Sequence, residues 1–259
     1  MLKIAQEKDL DAVSQFCEGD LSGTKILCYC LAYGFERDFF SCWLNIVGDE
    51  IKGVVAKFYD TVTVKIKDPC EAEEIRRFCD MLGYNEIFCS ESCCEALGFI
   101  ASKTKKAYVF RGNAGEYTAD NLGEEYYKQL YNLISEAIPG SFRADRDSYL
   151  SWLSDFTFRR QRGLARSKGI SENGILHSCV MTSSETELSA IISGVACKST
   201  SRKTGLGKKT VLSAVRELEC EGKSVYVIAL NESAEGFYEH IGFELSERIC
   251  FISQSECFN

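Results

Sequence analysis

Apolar positions recur at regular spacings through the second half of the chain. From Glu124 to Ala137 they return every three or four residues (Tyr127, Leu130, Ile134, Ala137), which predicts a helix with one buried face. Asp147 to Phe158 reads as a second helix, with Tyr149, Leu150, Leu153 and Phe156 apolar. Two strand-like segments follow, Leu164 to Ile170 and Ile175 to Thr182. The turn Ser183-Ser184-Glu185-Thr186 leads into Glu187 to Lys198, where Leu188, Ala190, Ile192 and Ala196 alternate onto one face of a strand. Between Lys208 and Glu221, Val211, Val215 and Leu218 form a helical stripe. Val225 to Leu230 is apolar throughout, as in a strand buried on both faces. A short helix to His240 and a last β-like segment complete the order. It predicts an α/β fold with a mixed sheet between helices.

The first half echoes this pattern. A helix at Glu71 to Met81 precedes a strand at Tyr84 to Cys89, and the next stretch ends in Glu95-Ala96-Leu97-Gly98-Phe99. The second half ends its helix in Glu239-His240-Ile241-Gly242-Phe243. The turn-forming stretch Arg111-Gly112-Asn113-Ala114-Gly115-Glu116 is the best boundary, giving domains at 1–111 and 112–259.

Composition narrows the function. The 259 residues are 45% hydrophobic and 26% charged, which is ordinary for a globular protein and excludes disorder as the main description. No apolar run approaches the length of a membrane-spanning helix. The net charge of −8 divides evenly: residues 1–112 carry 14 Lys/Arg against 18 Asp/Glu, and the remainder 16 against 20. Neither half is a basic arm, so nucleic-acid binding is not expected. Fourteen cysteines are present, but none in Cys-x-x-Cys spacing, and there are only two histidines, His177 and His240. No metal site is therefore expected. Met1 to Lys8 does not read as a signal peptide, so a cytoplasmic, reducing location is expected, with the cysteines as small buried hydrophobes.

The segment with most chemistry is Arg202-Lys203-Thr204-Gly205-Leu206-Gly207-Lys208-Lys209, between a strand and a helix. Its two glycines let a ligand approach the backbone. The free N–H groups and dipole of the helix start favour an anion, and four basic side chains add full charge. The loop reads either as a phosphate or pyrophosphate site, or as a flexible turn with a solvated basic cluster. It is not a Walker A loop, because Lys209 follows Gly207-Lys208 where Ser or Thr is needed and position 202 is Arg. It is not a dinucleotide fingerprint, because the third glycine position holds Thr210.

Arg202-x-x-Gly205-x-Gly207 resembles the pyrophosphate motif of the GCN5-related N-acetyltransferases (GNAT), Arg/Gln-x-x-Gly-x-Gly/Ala. Asn231-Glu232-Ser233-Ala234-Glu235-Gly236-Phe237-Tyr238-Glu239-His240-Ile241-Gly242-Phe243 resembles that family's second signature at every fixed position. The resemblance covers roughly residues 116–254, best over Gly194 to Phe243, and is closest to the FR47-like, glycine N-acyltransferase-like branch. It implies the GNAT acyl-CoA N-acyltransferase fold, and the echo between the halves extends this to a tandem of two GNAT-like domains whose degenerate first copy lacks the glycine loop and carries Lys65-Ile66-Lys67-Asp68-Pro69-Cys70 instead.

The resemblance also implies roles. Acetyl-CoA, or another acyl-CoA, would be the co-substrate, with Arg202, Lys203, Thr204, Gly205, Leu206, Gly207 and Lys208 around its pyrophosphate. The backbone of Val195, Ala196 and Cys197 would hold the pantetheine arm and acyl carbonyl. Cys197 stands where Val is usual and Ser199 where Pro is common, which backbone contacts tolerate. With no partnered His, Cys197 is read as inert and not as a nucleophile. Asn231 would contact the cofactor, cap the helix, or do both. Tyr238 would protonate the departing thiolate. Phe237, Ile241 and Phe243 are read as packing. The general base stays open between Glu187, Glu185, His177 and a water relay. The expected function is transfer of an acyl group, acetyl above all, to a primary amine of a small molecule in a ternary complex. The alternatives are an acyl-CoA sensor without turnover and a protein or peptide N-acetyltransferase. No nucleic-acid or membrane partner is expected, and a homodimer is left open.

Overall fold

A computed structural model describes residues 2–67, 69, 72–143 and 145–253. The chain runs β1 (Leu2–Ile4), α1 (Leu10–Cys17), α2 (Leu21–Tyr33), β2 (Phe40–Val47), β3 (Glu50–Phe58), β4 (Thr61–Ile66), α3 (Ala72–Leu82), β5 (Glu86–Ser90), α4 (Glu91–Leu97) and β6 (Lys103–Phe110). It continues through β7 (Asp120–Asn121), α5 (Tyr127–Ala137), α6 (Arg146–Arg160), β8 (Ser167–Glu172), β9 (Ile175–Glu185), β10 (Ser189–Cys197), α7 (Leu206–Cys220), β11 (Ser224–Ile228), α8 (Glu232–His240) and β12 (Phe243–Ser253). Two compact units result: Met1–Tyr108 with Ala229–Glu235 and Leu245–Asn259, and Val109–Ile228 with Gly236–Glu244.

The first unit orders its strands β1-β2-β3-β4-β5-β12-β6. Its β2 to β4 form an antiparallel meander, and β4 pairs in parallel with β5 through Thr61–Thr63 and Glu86–Phe88 only. The segment Ile249–Ser253 of β12 then pairs antiparallel with Ser90–Glu86 of β5. Cys250 and Ile252 are thereby part of the core around Val55, Val62, Val64, Ile75 and Ile87. The expected division at 111/112 lies close to the end of this unit's first segment, but the assignment of all of 112–259 to the other unit needs correcting. The last strand completes the first sheet, because β5 would otherwise stand as an unpaired edge with an apolar face.

The second unit orders its strands β11-β10-β9-β8-β7. Its core gathers Leu130, Ile134, Phe156, Leu176, Cys179, Met181 and Ala196 beneath α5 and α6. Its α7 buries Val211, Val215 and Leu218, the stripe expected from the sequence. The helix expected at Glu124 starts as a 3-10 turn, Glu124–Tyr126, before α5.

Of the described cysteines, ten are buried, Cys197 is half-buried and Cys220 exposed. Burial pushes the thiols of Cys79 and Cys179 up to about 12, so they stay protonated and unreactive. Among the described residues no helix is long and apolar enough to cross a membrane, and no group of His, Cys, Asp or Glu is placed to hold a metal ion. Asp68, Cys70 and Glu71, in the first half's counterpart of the glycine loop, lie outside the described residues.

Candidate functional site

The site begins with a defect in β10. Ser193 pairs with Met181 and Ala196 with Cys179, so Gly194 and Val195 together oppose Val180. This is a β-bulge, and it is built on Gly194 at φ +55. A Cβ there would lie 2.7 Å from Ile134 Cδ1 and 2.8 Å from Met181 Cγ, so only glycine fits. The bulge reverses the alternation expected from the sequence. Ile192 pairs with Thr182, whereas Ala196 pairs with Cys179 and turns into the core under α5, away from the face of Ile192.

Past the same point β10 parts from β11. Their parallel pairing covers Ser189–Ile192 and Ser224–Val227 and then stops. The backbone of Val195, Ala196 and Cys197 continues along this opening with ladder groups that β11 does not take.

The strand then enters the glycine loop. Lys198 N donates to His177 O (2.8 Å), and Ser199–Ser201 form a 3-10 turn. Ser201 is the hub of the loop. Its Oγ shares a hydrogen bond with His177 Nδ1 (2.8 Å), and its carbonyl accepts from Thr204 Oγ1 (2.7 Å) and from Cys197 Sγ (3.3 Å). Arg202 Nε donates to Cys197 O (3.4 Å), and Lys203 adopts φ +62. Gly205, at φ +84, is the residue before α7 and offers no side-chain cap, so the first N–H groups of α7 are left uncapped among the described residues. Beyond the chain neighbours and the helix's own backbone, no described atom lies within 4 Å of where a Cβ would stand on Gly205 or Gly207. Gly207 lies inside the helix, where glycine costs about 1 kcal/mol relative to alanine. Nothing among the described residues requires that cost; a backbone kept open for a ligand would account for it. Arg202, Lys203 and Lys209 are exposed around it. The residues present therefore fit a pyrophosphate: open backbone donors, positive charge and a cradle that a side chain would fill.

Behind the loop, Ser178 Oγ on β9 bonds Thr210 Oγ1 on α7, and Thr210 Oγ1 also donates to Leu206 O at 2.9 Å. This fixes the helix start against the strand. Sequence reasoning missed this bond, the Ser201 hub and the bulge. An isolated glycine inside an alternating strand was the available signal for the bulge.

The remaining expected site residues are placed as follows. Asn231 caps α8, its Oδ1 accepting from Ala234 N at 2.9 Å. No described residue takes its Nδ2. Tyr238 is buried, with its ring 5.3 Å from Phe237 and 5.5 Å from Phe243. Its hydroxyl makes no hydrogen bond among the described residues. Burial raises its pKa above the usual phenol value. Cys197 is likewise raised by burial, which keeps it a thiol and fits the inert reading.

Two base candidates do not reach the opening. Glu187 is exposed in the turn between β9 and β10 and not on the strand, seven residues before Gly194, roughly 20 Å along the chain direction. Glu185 is fully buried and bound by Arg166 (2.7 Å), Lys223 (3.1 Å) and Thr182 Oγ1 (2.6 Å). His177 is spent on Ser201, at the loop end of the strand. None of the three is positioned to take a proton from an amine at the bulge.

A bulged strand that splays from a parallel neighbour and runs through a glycine turn into an uncapped helix is the architecture of the GNAT fold. Residues 168–252 match the model of the FR47-like protein family. Among solved structures, a tandem GNAT protein from the clavulanic acid biosynthesis pathway aligns with TM-score 0.65 at 14% identity over 97% of both chains. A GNAT-family acetyltransferase from Colwellia psychrerythraea aligns with TM-score 0.60 at 13% identity, over 98% of this chain and 99% of the other. A GCN5-related N-acetyltransferase from Sphaerobacter thermophilus gives TM-score 0.63 at 12% identity, over 97% and 94%. At these identities the likeness is one of fold. No curated protein matches the sequence. The chain has the GNAT fold in tandem, with an FR47-like segment in its second half.

Proposed function

We propose that the protein is an acyl-CoA-dependent N-acyltransferase whose acceptor is the primary amine of a small molecule. The observation that carries this reading is the uncapped start of α7 with open space over Gly205 and Gly207. Acetyl-CoA would lie with its pyrophosphate on the N–H groups of Leu206, Gly207 and Lys208, flanked by Arg202 and Lys203. Its pantetheine arm would extend the backbone ladder of Val195, Ala196 and Cys197 where β11 has parted. The bulge at Gly194 and Val195 interrupts the ladder, and a backbone N–H freed there would stabilise charge on the thioester oxygen as the carbonyl becomes tetrahedral. The lone pair of the neutral amine would attack the carbonyl carbon and form the C–N bond, and the tetrahedral adduct would collapse by breaking the C–S bond. The nitrogen would give up its extra proton to water, and the thiolate would take one from water or from Tyr238, which solvent then reprotonates. Because no candidate base reaches the bulge, the amine arrives neutral or loses its proton through water. Both substrates must be bound together, since Cys197 is a protonated, hydrogen-bonded thiol and no acyl-enzyme is formed.

The missing base also favours a second reading, an acyl-CoA-binding protein without turnover. Two measurements separate the readings. Acetyl-CoA raises the melting temperature of the wild-type protein, because a ligand bound only by the native state stabilises it. In Gly207→Leu, whose Cβ enters open space and needs no strained backbone, that rise disappears while the unliganded melting temperature holds. An unchanged rise in Gly207→Leu sinks the placement of the cofactor. Coenzyme A thiol release over a panel of small primary amines then tests transfer: tight binding with no release on any amine overturns the small-amine reading and favours the sensor.

A further inference from the structure

We infer that the first unit holds a second ligand site, for a small organic ammonium ion, in the opening between β4 and β5. The pairing of these strands ends at Thr63 and Phe88, so Val64–Ile66 diverge from Cys89 and Ser90. A cavity of about 370 Å³ occupies the divergence, lined on the strand side by Val64, Lys65, Ile66 and Ser90. Open parallel sheets take ligands where strand ends part in this way.

The charge lining the cavity decides what fits. Lys65 Nζ stands 2.5 Å from Asp20 Oδ2 and donates to Glu18 O at 3.0 Å, so this cation is already matched. Arg248 faces Glu91, at 3.9 Å. That leaves Glu247, which also lines the cavity and has no cation within ion-pair distance among the described residues. Its only described bond is long, accepted by Oε1 from Leu21 N at 3.4 Å. Burial and the nearby Asp20 charge push its carboxyl above the usual range, and the Leu21 N–H and the Lys65 charge offset this only in part. Ser22 lines the same cavity, and its buried hydroxyl has no hydrogen-bond partner among the described residues. A buried polar group left unpaired costs about 1–3 kcal/mol, so a hydroxyl without a partner and a carboxylate without an ion pair on the lining of one cavity leave pairings for a ligand.

An ammonium supplies what both lack: a positive charge and three donors, with no acceptor to repel. Anions are disfavoured, since Asp20, Glu91 and Glu247 outnumber Lys65 and Arg248. The first turn of α3 repeats this sign with Glu73 and Glu74, where the second unit's α7 has basic residues at its start. The two strand openings thus have opposite polarity. Val64 and Ile66 form an apolar wall suited to a short carbon chain.

The experiment is calorimetry on the full chain without acyl-CoA, using n-butylammonium as the probe and 1-butanol as its neutral counterpart. The wild-type protein should bind the ammonium at least tenfold more tightly than the alcohol. Glu247→Gln, which keeps shape and removes charge, should weaken ammonium binding at least tenfold. Ser92→Trp, at an exposed position on the cavity lining, should block it and keeps the test open if Glu247→Gln folds poorly. Gly207→Leu should leave it unchanged, which separates this site from the proposed cofactor site. Failure of the wild-type protein to bind the ammonium, or equal binding by wild type, Glu247→Gln and Ser92→Trp, overturns the proposal.

Discussion

Tyr238 sits on α8 with its ring against Phe237 and Phe243 and its hydroxyl without a described partner. Tyr238→Phe keeps the ring and removes only the hydroxyl, so packing and cofactor affinity should survive. If the hydroxyl protonates the thiolate, single-turnover transfer slows about 10²–10⁴-fold, because the group acts only as the bond breaks. Its raised pKa keeps it protonated through neutral pH, so it should add no alkaline limb to the wild-type rate below about pH 10. An unchanged single-turnover rate in Tyr238→Phe removes it from the mechanism. Gly242 makes the complementary case of a residue fixed by structure. It has φ +104, its carbonyl accepts from Arg111 N and Gly112 N, and a Cβ on it would meet Gly112 Cα at 2.9 Å. Gly242→Ala therefore combines backbone strain with a backbone clash and should cost about 1–3 kcal/mol in denaturant unfolding. A loss below about 0.5 kcal/mol would show that the Gly112 turn can move aside.

At the scale of elements, β8, β9, α7 and β11 are tied by one ionic cluster. Arg166 on the β8 approach reaches Glu185 (2.7 Å), Glu217 (2.6 Å) and Glu221 (2.6 Å), while Lys168 meets Glu217 and Lys223 meets Glu185 and Glu221. Glu185 is fully buried, so Arg166→Met leaves it with Lys223 and Thr182 alone and should cost about 3–5 kcal/mol. The Arg166 bonds lower the Glu221 carboxyl from 4.5 to about 2. A depressed folded pKa means that this stabilisation is complete above about pH 4.5 and fades as the pH falls toward 2. Because Glu221 is 40% exposed, its own share is below about 1 kcal/mol. Glu221→Gln should flatten the acid limb of stability slightly between pH 4.5 and 2; an unaltered limb would show that the contact does not persist in solution. This cluster also explains what the sequence concealed. The glycine loop, the α7 stripe and β11 were legible because turn chemistry and periodicity are local. The status of Glu185 was not, because its partner Arg166 lies 19 residues away. Nor was α2 legible, since ten of its 13 residues are buried and leave no polar face to mark a period.

At the scale of the molecule, the repeated pattern of the two halves was readable, but the exchange of chain between the units was not. The run Arg248 to Ser253 looks like the closing strand of whatever precedes it, and only pairing reveals its place. In the first unit it lies between β5 and β6, with Cys250 opposite Cys89, Ile252 opposite Ile87, and Phe251 and Phe88 ring to ring at 5.4 Å. A fragment cut at the sequence boundary, residues 1–111, lacks this strand. It loses two fully buried isoleucines, Ile249 and Ile252, each worth about 1.5–3 kcal/mol, together with a five-residue ladder. It also exposes the edges of both β5 and β6. Against a typical stability of about 5–15 kcal/mol for a whole domain, that loss is decisive. The fragment should give no cooperative thermal transition by circular dichroism and should aggregate through its open edges. Joining residues 243–253 to its C-terminus through a flexible linker should restore the transition, since the missing strand is then available at high effective concentration. A bare 1–111 fragment that melts cooperatively and stays monomeric would mean that β12 is dispensable to the first unit, and that the sequence boundary marks an independent domain after all.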